Sequence, residues 1–159
     1  MKNPDLVVDA SASGSGVFNP HGQFAAKVEG RIIRLEAAGP FNAELARQYS
    51  LGISPLFATV SARGPFGVMI EVTLSLLMGP DAIRVFADFL LAAKQRGVRT
   101  VGTAYVVATD IEGRDVMLPL LEQKIYRPAG VAFGAFERRA DAQAWLEQRL
   151  RDADEANRR

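Results

Sequence analysis

The sequence predicts an α/β domain built on a mixed, largely parallel sheet. Three observations predict it. Residues 66–74, 98–108 and 131–136 read as strands, a helix-patterned segment follows each of them, and the 159 residues are 48% hydrophobic and 23% charged, which suits one soluble domain with a single core. Alternation of this kind favours parallel pairing, because a parallel connection needs a crossover of about a dozen residues or more, usually a helix.

Residues 1–22 are rich in Ser, Gly, Asn and Pro and lack a sustained apolar period, so they read as a flexible lead-in, with Leu6, Val7 and Val8 able to add a short edge strand. The domain is expected over residues 23–150. Phe24, Ala26 and Val28 alternate with Ala25, Lys27 and Glu29, and beyond the Glu29-Gly30 turn Ile33 and Leu35 alternate with Arg34 and Glu36. That is a hairpin pattern. Gly39-Pro40 ends it, and Asn42 can cap a helix that gathers Leu45, Tyr49, Ile53, Leu56, Phe57 and Val60 on one face. Gly52 and Pro55 are expected to bend or split that helix, and Gly64-Pro65 closes it before the strand at 66–74.

Gly79-Pro80-Asp81 is a helix start, since proline in the first turn lacks only an N–H that would have no partner there. Ile83, Phe86, Phe89, Leu90 and Ala93 form its apolar stripe, and Lys94-Gln95-Arg96-Gly97 suits its end. The strand at 98–108 is mostly apolar, as for one covered on both faces. A third helix over roughly 114–124 carries Val116, Met117, Leu120 and Leu121, with Asp or Thr capping expected at its start. Pro128 to Gly130 separates it from the strand at 131–136. The last helix starts near Ala140 and buries Ala142, Trp145, Leu146 and Leu150. Residues 151–159 are charged or small and read as a frayed end.

Composition excludes several chemistries. Nineteen Lys and Arg face eighteen Asp and Glu, so no long-range field steers the chain to nucleic acid or acidic lipid. Arg138, Arg139, Arg149 and Arg151 are interleaved with acids and read as a solvated helix face. The absence of cysteine removes disulfides, thiol nucleophiles and thiolate metal sites, and His21 is the one histidine. The longest apolar stretch, 66–78, contains Glu71 and is too short to span a bilayer, and no signal-peptide core opens the chain, so a cytoplasmic protein is expected. No nucleophile elbow, P-loop, HExxH or kinase signature occurs. Asp110, Glu112 and Asp115 lack the spacing of a calcium loop, and Gly14-Ser15-Gly16 lacks the third glycine of a dinucleotide fingerprint. No metal, cofactor or catalytic residue is assigned, and a non-enzyme is expected.

The hairpin opening Val28-Glu29-Gly30-Arg31-Ile32-Ile33, and above all the ending Phe133-Gly134-Ala135-Phe136 followed by a helix carrying Ala142, Trp145 and Leu146, resemble the SpoIIAA-like or STAS domain. The nearer likeness is to its bacterial branch of small stand-alone proteins, which are distantly similar to CRAL-TRIO domains. The resemblance spans roughly residues 24–150. It implies a regulatory or protein-interaction module with a protein partner. In antagonists of anti-sigma factors it further implies a phosphorylated serine in the loop after the third strand. Ser75 is the serine nearest that place and the candidate phosphosite, although Gly79-Pro80 occupies the turn where the family's hydroxyl stands. A plain strand-end hydroxyl is the other reading.

Ligands of open α/β sheets sit beyond the carboxyl ends of parallel strands. The candidate ligand or partner loops are therefore Ser75, Leu76, Met78 and Gly79 after one strand and Thr109, Asp110 and Ile111 after the next. Leu76, Leu77, Met78 and Ile111 would make such a site apolar. The alternative function is thus a carrier or sensor of a small amphipathic or lipid-like ligand at this edge. Apolar helix faces also favour a homodimer over a monomer.

Overall fold

A computed structural model describes Val8, Asp9 and residues 22–159. The elements run β1 (Val8–Asp9), β2 (Gln23–Glu29), β3 (Ile32–Ala38), α1 (Ala43–Ser61), β4 (Phe66–Thr73), α2 (Pro80–Gln95), β5 (Thr100–Val107), α3 (Arg114–Leu121), a π-helical turn (Glu122–Tyr126), β6 (Phe133–Phe136) and α4 (Arg139–Asn157). The strands form one mixed sheet in chain order: β1, β2 and β3 pair antiparallel, and β3 to β6 pair parallel. The lead-in expected over residues 1–22 lies outside the described residues apart from Val8, Asp9 and Gly22, and so do His21 and the Gly14-Ser15-Gly16 segment.

Because strand order equals chain order, each crossover steps the same way, and the uniform hand of such crossovers stacks successive helices on one face. Phe66, Val68, Ile70 and Val72 of β4 point to that face and pack with α1, α2 and α3 in the main core. Alternate residues point the other way. Ile32, Met69 and Ala104 meet Ala142, Leu146 and Leu150 of α4, which forms the third layer alone. Each fully buried large side chain, such as Phe66 or Leu146, contributes about 1.5–3 kcal/mol through burial. The apolar faces of α1 and α2 that suggested self-association are turned into the core, leaving Leu51 and Leu91 outside.

Local signals acted as their chemistry predicts at two helix starts. The Asn42 side chain accepts from Leu45 N–H at 2.9 Å, and Pro80 follows Gly79 as the first residue of α2. Four expectations need correction. α1 runs unbroken through Gly52 and Pro55, because Pro55 and Leu51 face solvent and the carbonyl that proline leaves without a partner can be hydrated. The third helix ends at Leu121 and passes into the π-helical turn. Its N-cap is Gly113, without a capping side chain, so neither Asp nor Thr caps it. Residues 151–157 are helical rather than frayed. Gln148 bonds Asp152 and Arg151, and Arg31 holds Asp154 through two bonds of 2.9 and 3.0 Å.

Candidate functional site

The carboxyl edge of the parallel strands is a set of three loops tied together by backbone. Gly39 N–H donates to Thr73 O at 3.2 Å, Phe41 N–H to Leu77 O at 2.8 Å, and Leu76 N–H to Glu112 O at 2.9 Å. Phe41 and Met78, and Ser75 and Glu112, pair as short parallel bridges beyond the strand ends. The edge is thereby an extension of the sheet.

Ser75 is 3% exposed. Its hydroxyl donates to Glu112 Oε1 at 2.8 Å and accepts from Leu77 N–H at 3.1 Å. Leu74 before it adopts φ +66°, the left-handed region that a leucine rarely occupies. That reversal sends neighbouring side chains opposite ways. Leu76 is fully buried, whereas Leu74 is 73% and Leu77 40% exposed. Across the edge Val116 is 72% exposed at the start of α3, not part of the buried stripe expected of it. Leu77 lies over Gly113, whose φ of +78° and lack of a Cβ let it approach: a Cβ there would lie 2.5 Å from Leu77 Cδ2.

The residues singled out from sequence divide into three kinds. Leu76 and Met78 turn inward and line an apolar cavity of about 70 Å³ between the sheet and α1, α2 and the π-helical turn. Ile111 is partly buried against the core, Gly79 is exposed as the N-cap of α2, and Thr109 and Asp110 form an exposed turn. Ser75 is enclosed by its hydrogen bonds. Leu74 and Val116 were missed. Leu74 reads as the last residue of a strand and Val116 as part of an apolar stripe, and no local signal marks either as outward-facing.

Glu112 is engaged by Ser75, and Asp115 pairs with Arg114 at 3.2 Å while Arg114 Nε donates to Val107 O. Among the described residues no group of three His, Cys, Asp or Glu side chains is placed to hold a metal ion, and no helix is long and apolar enough to cross a membrane. On the α4 face Glu71 accepts from Arg139 Nε and Nη2 and from Arg34, and the hydrogen bonding of Arg139 holds its carboxyl below the usual range.

No family model matches the chain, and no curated protein matches it. Among solved structures it is similar to an anti-sigma factor antagonist from Mycobacterium paratuberculosis, at 13% identity over 92% of this chain and 99% of that one, with a TM-score of 0.43.

Proposed function

We propose that this chain is a non-enzymatic interaction module of STAS-like type that docks a protein partner on the carboxyl edge of its parallel sheet. The observation that carries the reading is the exposure of Leu74, Leu77 and Val116 around backbone fixed by the Ser75–Glu112 bridge. Single exposed apolar residues are ordinary. Three on adjoining hydrogen-bonded segments, one of them held in a costly backbone conformation, fit a surface kept ready for an apolar partner patch. The family resemblance of the sequence points the same way, and Glu112 and Asp115 at this edge are engaged by Ser75 and Arg114. Ser75 serves this reading as a structural tie, because a kinase could reach its hydroxyl only by opening the edge.

The test compares the protein with a Leu74→Asp, Val116→Asp double variant. Val116 is an ordinary exposed site, where stability should change by about 0.5 kcal/mol or less, and aspartate at position 74 relieves part of the strain of φ +66°, so the variant should fold at least about as stably as the wild type. A partner recovered from the native host that binds the wild type and loses at least about tenfold affinity for the variant supports the reading. Equal affinity for both proteins, or the absence of any partner, overturns it.

A further inference from the structure

The cavity beneath the edge has a chemistry of its own. Its wall contains no charged side chain, and its polar side chains are Thr103 and three tyrosines, Tyr49, Tyr105 and Tyr126. The π-helical turn sets Ile125 and Tyr126 in that wall, an irregularity often found where a helix builds a functional site. The Tyr105 and Tyr126 hydroxyls lie 2.7 Å apart. In such a bond one phenol donates and the other accepts, so the pair keeps one O–H proton unused.

Tyr49 brings a third phenol, packed edge-on against Phe24, Phe86 and Phe89 and close enough to Tyr105 and Tyr126 for their charged forms to interact. Tyr49 is half-buried and lines the same cavity. Burial pushes all three phenols up, Tyr105 to about 12, so they stay neutral O–H donors across the physiological range.

The cavity therefore offers one unused donor, that of the Tyr105–Tyr126 pair, in an apolar wall. A carboxylate or phosphate entering it would leave water without meeting a cation, at a cost of several kcal/mol. A neutral acceptor meets no such penalty. A void of about 150 Å³ holds benzene, so a space of about 70 Å³, less than half of that, suits a body of about three carbons.

We infer that this cavity binds a small neutral molecule consisting of an apolar body and one hydrogen-bond acceptor of the carbonyl class, received by the Tyr105–Tyr126 hydroxyl pair. This site is separate from the docking edge, and its failure or success leaves the partner reading untouched.

The test uses three probes of four heavy atoms each: acetone, its apolar isostere isobutene, and acetate. Dissociation constants are read by NMR titration of assigned tyrosine ring signals. One hydrogen bond gained by the ketone should make its dissociation constant about three- to tenfold lower than that of the isostere, with shifts centred on Tyr105 and Tyr126 and the carboxylate weakest. In a Tyr105→Phe, Tyr126→Phe variant that preference should fall to about one. The comparison of probes on the wild type stands even where the variant does not fold. Equal affinity for ketone and isostere, tighter binding of the carboxylate, or a cavity that holds only water and takes no probe would each overturn the inference.

Discussion

Ser75 donates its hydroxyl to Glu112 across 2.8 Å and thereby joins the loop after β4 to the loop after β5. The same oxygen receives Leu77 N–H, so one buried atom satisfies a partner in each loop. Ser75→Ala removes both bonds without leaving an empty space. It should cost about 1–2 kcal/mol in urea unfolding, the range for a buried hydrogen bond lost together with its neighbour's partner. Partner affinity should be unchanged, because the docking side chains stand outside the tie. A Ser75→Ala protein of wild-type stability would show that the bridge is not formed in solution.

Gly39 gives a sharper test of the same edge. A Cβ at this position would stand 2.0 Å from the carbonyl oxygen of Ser75, which is backbone and cannot rotate aside. Gly39→Ala should therefore force the two loops apart and cost at least about 2 kcal/mol, toward the upper end for overpacked sites. Gly79→Ala is the matched control. Nothing lies within 4 Å of a Cβ there, and its loss should stay below about 1 kcal/mol. Thermal unfolding of the two variants side by side distinguishes close approach from the general effect of adding a methyl group.

Much of this fold is legible in the sequence because its signals are local. Alternation marks β2 and β3, Asn42 and Pro80 mark helix starts, and the apolar runs of β4 and β5 announce strands covered on both faces. What is not legible depends on contacts distant in sequence. The stripe of Ala142, Leu146 and Leu150 would look the same on either side of the sheet, and only the direction of the earlier crossovers leaves α4 its face. Pro55 looks like a break until its solvent-facing position is known. The cavity is less legible still, since Tyr49, Tyr105 and Tyr126 come from three elements and read singly as core aromatics. The outward Leu74 follows from one backbone angle that no neighbouring residue type predicts.

Glu71 should make stability depend on acid pH. Its carboxyl is held below the usual range first by hydrogen bonding to Arg139 and further by the charges of Arg139 and Arg34, which together outweigh the opposing effect of burial. A carboxyl with a lowered folded-state pKa contributes stability above its unfolded value, and that contribution disappears as pH falls through the folded value. Glu71→Gln should thus be less stable than wild type near neutral pH. The gap should narrow from about pH 4.5 downward, the ordinary value for such a group, and close once Glu71 itself is protonated. Urea unfolding of both proteins across that window checks the sign. A gap that widens on acidification would contradict the ion-pair geometry.

Leu74 brings stability and docking into opposition. At φ +66° its Cβ crowds the following carbonyl, a conformation that costs a residue of this type about 1–2 kcal/mol and costs asparagine less. Its side chain is mostly in water, so replacing it sacrifices little burial in the free protein. Leu74→Asn should therefore stabilise the isolated protein by about 0.5–1 kcal/mol, a rise of roughly 1–4 °C in Tm for a chain of this size. If Leu74 is kept because a partner covers it, the same variant should bind that partner about tenfold more weakly while melting higher. Calorimetric melting and partner affinity measured on one preparation separate the cases: a gain in stability with no loss of affinity would mean that the strained leucine serves neither the fold nor the docking edge.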